Sequence, residues 1–237
     1  MSRTVIIILV LLMALPLAGG AAAGPDRSDF DPRLSGAVVN FAVRSTGSQY
    51  HHEEWLRGDV LLYSGEVVPN QELRYNGYRD ALVWLHPETR RTIWVDEELV
   101  REFSLYDSRA DRHMVFERFA PGRQSRAIYA ERLFMNHIGL YVHRRVEQTG
   151  ETTELRDNAL RPVLTLEPRP VYYIVREGEA VVLARLNRRF LLNLFPDHRR
   201  EVRSILRQNR LNVRNEYELV RAVVLIDAFL KDASGAF

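Results

Sequence analysis

From Gly58 onward the chain alternates short apolar runs with turn residues at a spacing of a few residues. Asp59 to Tyr63 ends in an aromatic, Ser64-Gly65-Glu66 turns, and Val67-Val68 resumes before Pro69-Asn70 breaks it, the pattern of a β-hairpin. The same grammar repeats. Glu72 to Tyr75 leads into Asn76-Gly77, Ala81 to Leu85 into Pro87-Glu88-Thr89, and Thr92 to Val95 follows. Strands so spaced predict an antiparallel meander, extended by Leu99 to Leu105, His113 to Phe119, Arg132 to Val146 and Val171 to Arg185, the last with a turn at Glu177-Gly178-Glu179.

The period changes in the last third. After Pro196-Asp197, Val202, Ile205 and Leu206 fall at helical spacing among arginines, and Leu219, Val223, Ile226 and Leu230 form a second stripe. Asn215 with Glu218 three residues later reads as a capping box for that second helix. The expected fold is α+β: an antiparallel β-meander, as a sandwich or partly open barrel, with a C-terminal helical pair laid against it. The expected divisions are a signal peptide over 1–23, a flexible leader over 24–49 and one domain over 50–237, with an internal boundary near 121–126 as an option. Within the leader, Gly36 to Val43 reads as a strand or a short helix.

The N-terminus changes the picture of where the protein works. Arg3, the apolar run Val5 to Leu15, Pro16 and the small residues ending Ala21-Ala22-Ala23 have the layout of a cleaved secretory signal. A retained anchor is the alternative, since Val5 to Ala23 approaches the ~20 residues of a span. Cysteine is absent, so no disulfide, thiolate site or cysteine nucleophile is available. The formal charge of +2, without a concentrated basic domain, argues against nucleic acid as a partner. Lys231 is the only lysine among 33 basic residues, a bias towards arginine rather than a phosphate-binding signature. Phe237 is aromatic, as at the end of many outer-membrane barrels, but a helix precedes it instead of the strands such a barrel needs.

Candidate chemistry is sparse. His51-His52-Glu53-Glu54 gathers two imidazoles and two carboxylates, yet neighbours on a strand point to opposite faces, and a solvated strand entrance is the expected reading. His137 and His143, six apart, would lie about 20 Å from each other along one strand, too far to share an ion. No G-x-S-x-G elbow or phosphate-binding glycine loop occurs. No catalytic residue, metal or cofactor is therefore assigned. Two groups remain as binding candidates. Trp84 and Trp94, with Tyr75 and Tyr78, either line a contact surface or fill the core of the sheet. Arg199, Arg203 and Arg207 either form a solvated face whose stems cover apolar neighbours, or meet anionic lipid or envelope polysaccharide.

Trp55-Leu56-Arg57-Gly58-Asp59-Val60, then Leu73-Arg74-Tyr75-Asn76 with Tyr78 and Asp80, and the closing Leu191-Leu192, Phe195, Asp197 and Ile205 resemble a family of uncharacterised secreted proteins of Gram-negative bacteria. That resemblance implies export and a shared fold, and supplies no site. Taken together, the expectation is a secreted or periplasmic binding or structural module of the cell envelope, not membrane-spanning once the signal is removed. Its partner would be an envelope protein, a glycan or a lipid surface. The alternative is an envelope hydrolase with a dispersed His/Asp/Glu site.

Overall fold

The computed structural model describes residues 33–39, 44–122, 124–156 and 158–234; the expected signal peptide lies outside them. In chain order the elements are β1 (Gly36–Val38), β2 (Arg44–Thr46), β3 (Leu56–Leu62), β4 (Val67–Asn76), β5 (Ala81–Leu85), β6 (Thr92–Val95), β7 (Val100–Asp107), β8 (Arg112–Phe119), β9 (Ile128–Met135), β10 (Ile138–His143), β11 (Val146–Arg156), β12 (Ala159–Pro168), β13 (Val171–Arg176), β14 (Glu179–Leu183), α1 (Arg188–Asn193), α2 (Arg199–Gln208) and α3 (Glu216–Ser234). Eleven strands form one sheet in the order β1-β6-β5-β4-β3-β7-β8-β9-β10-β13-β14. Every pairing within it is antiparallel. The fold is thus α+β, an open antiparallel meander with helices at its C-terminal end. The pairing of β8 with β9 carries the sheet across Gly122 without interruption.

One face of this sheet buries two apolar cores side by side. Leu73, Tyr75, Leu82, Trp84, Phe103 and Phe116 lie in the first, where the curled strands β3 to β8 pack on each other. Leu140, Val142 and Ile174 meet Val202, Leu206, Val223 and Ile226 of α2 and α3 in the second. Glu131 is the cross-strand partner of both Phe116 and Val142. Directly opposed side chains share a face, so a charged residue stands at the seam between the two cores.

The helical layer follows the expected caps. Asn215 Oδ1 accepts from the Glu218 amide at 2.9 Å, while Glu218 Oε2 accepts from the Arg214 and Asn212 amides at 3.1 and 3.2 Å. The glutamate reaches back past the cap residue, satisfying amides ahead of α3 that would otherwise lack partners. A short α1, not anticipated, precedes the helical pair and is capped by Asn187 Oδ1, which accepts from Phe190 N at 2.7 Å. Asp227, buried in α3, accepts from the Ile138 amide and from Asn136 Nδ2, both at 2.7 Å. That fastens the helix to the β9–β10 turn.

Three expectations change. The region read as a flexible leader contributes β1, paired to β6, and β2, paired in parallel to β12, with Leu34 buried in the first core. Within its described residues, pairing with β6 and β12 and the burial of Leu34 replace the expected flexibility. The single strand expected over Arg132 to Val146 turns at Asn136-His137, so His137 and His143 do not share a strand face. Finally, β11 and β12 form a long hairpin outside the main sheet, with β2 as their third strand. Most of its residues are exposed, and the apolar alternation that marks a half-buried strand is therefore missing from it.

Candidate functional site

The Asn76-Gly77 turn is where the curled sheet meets its far side. Asn76 Oδ1 accepts from the amides of Tyr78 and Arg79 at 3.1 and 3.0 Å, an Asx arrangement that lets the side chain stand in for a backbone acceptor. Gly77 accepts from the Val146 amide at 3.0 Å. A Cβ on Gly77 would lie 2.2 Å from the Arg144 carbonyl oxygen, so only glycine permits this approach. The turn thereby sets Asp80 against β9 and β10. Asp80 Oδ1 accepts from Tyr75 Oη at 2.8 Å and from the Tyr129 amide at 3.0 Å. His143 Nε2 is 3.6 Å from the same oxygen.

Burial alone would raise the Asp80 carboxyl, but His143, the Tyr75 hydroxyl and the Tyr129 amide together hold it below its ordinary range. Tyr75 moves the other way, raised well above the usual phenol value by burial and by the Asp80 charge. Asp80 and His143 line a depression of about 330 Å³ with Tyr78, Arg79, Arg145 and Gln148. Tyr78 stands at its rim and donates to Gln148 Oε1 at 3.3 Å.

A second polar group occupies the seam between the cores. Arg144 donates through Nε to Glu131 Oε2 at 2.6 Å and through its two terminal nitrogens to both oxygens of Glu216, at 2.6 and 2.9 Å. Arg112 adds a bond to Glu131 and lies 3.5 Å from Glu216. Tyr172 Oη donates to Glu216 at 3.0 Å. Burial works to raise the Glu216 carboxyl, yet the hydrogen bonds and charge of Arg144 keep it low, with Tyr172 and Arg112 assisting. Burial, reinforced by that carboxylate, pushes the Tyr172 phenol up to about 12.

His51 and His52 abut this network. They sit in a bend rather than on a strand, their rings 4.5 Å apart edge to face, with His51 also against Phe116 of the first core. The expectation of a solvated entrance is corrected here: both side chains are half-buried, and their Nε2 atoms are shielded from water with no hydrogen-bond partner among the described residues. Burial lowers His51 to about 3, aided by the charge of Arg144, by His52 and by Arg112. Burial also lowers His52, against the opposing pull of Asp107. Among the described residues no three His, Asp or Glu side chains converge as a metal site would require.

The residues singled out from sequence separate into three places. Tyr75 and Trp84 are each 1% exposed, in the first core, and Trp84 Nε1 donates to Gln71 Oε1 at 2.9 Å. They fill the sheet and offer no contact surface. Tyr78 borders the depression, and Trp94 is half-buried beneath the Arg79 guanidinium, 4.8 Å from its ring centre. Arg199, Arg203 and Arg207 all lie exposed on α2. Glu131 and Arg144 carry no signal in the sequence, Asp80 enters only through the resemblance, and His143 only as half of a pair too far apart to share an ion. The Asn76-Gly77 turn, which delivers Asp80 to Tyr75 and Tyr129, is the local signal that leads to the Asp80 group.

No protein-family model, curated protein or solved structure matches the chain.

Proposed function

We propose that the chain is exported and serves the cell envelope as a binding module, with the arginine face of α2 as its contact for phosphate- or carboxylate-bearing lipid or glycan. One contrast carries this reading. Many arginines of the β-rich part are matched with carboxylates, as in Arg90–Glu72, Arg126–Glu97, Arg132–Glu117 and Arg144–Glu131, while Arg57 and Arg74 are engaged instead by the Asn70 carbonyl and the Trp55 ring. Arg199, Arg200, Arg203 and Arg207 are exposed and none has an ion-pair partner among the described residues. At about 100° per residue these four fall within an arc of about 100°, with Glu201 on the far side. The inward face carries Val202 and Leu206, both fully buried, so the helix cannot roll to hide its charge. Arg188 joins the patch by donating to the Arg203 carbonyl at 2.8 Å.

The remaining ionisable groups favour a module over a catalyst. Asp80 and Glu216 are held in their charged forms and Tyr75 and Tyr172 in their neutral forms, the opposite of groups poised to exchange protons near neutrality.

The test is co-sedimentation with vesicles of phosphatidylcholine alone or mixed with phosphatidylglycerol, at low and high salt. Binding is expected only to the anionic vesicles, weakening with salt, and lost in Arg199→Glu/Arg203→Glu/Arg207→Glu. Competition by a soluble anionic polysaccharide separates a glycan ligand from a lipid one. Equal binding to neutral vesicles, or a triple variant that binds as the parent does, sinks the proposal.

A second reading, an envelope hydrolase, draws on the Asp80–His143 contact at the wall of the depression, where a carboxylate faces an imidazole as in an oriented general base. Hydrolysis of an ester or glycoside panel that disappears in His143→Ala would support it. No turnover by the parent chain would remove it.

A further inference from the structure

β14 ends the large sheet. It is bonded to β13 on one side, and no strand lies on its other side among the described residues. Glu177 and Gly178, with φ of 52° and 80°, make a two-residue turn between β13 and β14. The flanking pair Arg176–Glu179 therefore exchanges hydrogen bonds, as do Ile174–Val181 and Tyr172–Leu183 by alternation. The amides and carbonyls of Ala180 and Val182 consequently point away from the sheet. Val181 and Val182 are 42% and 46% exposed, one on each face. Natural edges are usually blunted by lysine, proline or a bulge; Ala180 to Ala184 contains neither residue, and its pairing with β13 runs without a register shift.

The sequence of this edge is complementary to itself. Glu179-Ala180-Val181-Val182-Leu183-Ala184-Arg185 has the same kinds of residue, with opposite charge at its ends, when read about Val182. Two antiparallel copies centred there set Val182 against Val182, Val181 against Leu183, Ala180 against Ala184 and Glu179 against Arg185. The outward amides of Ala180 and Val182 fall on the bonding positions of that register. Centring on Val181 instead would set the Glu179 carboxylate against Leu183. Glu179 and Arg185 are both exposed, and neither has an ion-pair partner among the described residues.

We infer that the chain forms a two-fold dimer by joining the β14 edges of two copies into one continuous sheet, with two Glu179–Arg185 ion pairs closing its ends. The occupant of this edge is a second copy because the charges match only in reverse order, which an identical antiparallel strand supplies. A depression of about 420 Å³ beside Val181, lined by Arg176, Leu194 and Pro196, leaves the helical side of the junction open. A ribbon this short buries little surface, so the association is expected to be weak, in the micromolar range.

Sedimentation equilibrium of the full chain, without lipid, tests the dimer independently of any envelope ligand. The parent is expected to pass from monomer to dimer across micromolar concentrations. Val182→Lys, which sets like charges against each other on the two-fold axis, is expected to stay monomeric with an unchanged circular dichroism spectrum and urea midpoint. Arg185→Glu, at an exposed position beyond the strand, keeps the test open should Val182→Lys misfold. It is expected to weaken association about tenfold, and Glu179→Arg/Arg185→Glu to restore it to within about threefold of the parent. A parent that remains monomeric, a dimer indifferent to Val182→Lys, or a charge swap no tighter than Arg185→Glu alone would overturn the inference.

Discussion

His51 makes the stability of this fold depend on pH in a way that can be worked out. Its ordinary value of 6.5 falls to about 3 in the folded chain because burial and the Arg144 charge disfavour the imidazolium. A base with a lowered folded value binds more protons when unfolded, so stability is complete above 6.5 and is lost as pH falls towards 3. At pH 5 the unfolded chain has taken up the proton and the folded chain has not. The difference of about 1.5 logarithmic units corresponds to about 2 kcal/mol. This pH still lies above the range in which Glu216 and Asp80, both held low, begin to lose their charge. Urea unfolding at pH 7.5 and pH 5.0, for the parent and for His51→Gln, isolates the contribution, since glutamine is polar and of similar size but does not titrate. The parent should lose about 2 kcal/mol more than the variant between the two conditions. An equal loss in both would show that His51 is not held neutral in the fold, and the placement of the pair against Phe116 would be wrong.

Two further perturbations bear on the seam and on the curl of the sheet. Arg144→Met removes the fork between Glu131 and Glu216 and leaves Glu131, 2% exposed, with Arg112 alone. A loss of about 3–5 kcal/mol in urea unfolding is expected, and a loss under 1 kcal/mol would mean that Arg112 compensates. Gly58→Ala places a Cβ 1.8 Å from the Ser104 carbonyl oxygen of the paired strand. Because backbone cannot swing aside as a side chain can, a loss of at least ~1–3 kcal/mol in the same assay is expected.

Where local chemistry decides the structure, the sequence could be read directly. Asn76-Gly77 announced its turn because its side-chain acceptor and missing Cβ are both used there. Asn215 announced α3 because it caps it. Val202 with Leu206, and Val223 with Ile226, gave the buried faces of α2 and α3. The β11–β12 hairpin was invisible for the converse reason: polar at eight of the eleven residues of β11, it owes its form to ladder bonds rather than to a buried face. The half-burial of the His51-His52 pair is not written in its neighbours, because His51 packs against Phe116, sixty-five residues away in the chain and brought near by the curl. The seam could not be seen at all. Glu131, Arg144 and Glu216 are separated by many residues, and only strand register and the docking of α3 bring them together.

The polar anchors of α3 explain why the two proposed surfaces belong to the same rigid part of the molecule. Glu216 at the start of the helix is gripped by Arg144, and Asp227, about three turns on, is held by the Ile138 amide and Asn136. Apolar contact alone would let α3 slide along its groove, whereas carboxylates bonded at two separated points fix its register. α2 packs on α3 through Val202 and Leu206, and β14 enters the same core through Leu183. The arginine face and the free edge are therefore placed by one core and cannot shift independently. In an antiparallel edge pairing, opposed side chains share a face, so a dimer through β14 puts the helical layers of both copies on the same side of the joined sheet. Two arginine faces would then address one anionic surface, and the second contact would form at high effective concentration. Val182→Lys should accordingly weaken vesicle binding while leaving every α2 arginine intact. If it abolishes the dimer but vesicle binding is unchanged, the two surfaces act separately and the arginine face works as a single contact.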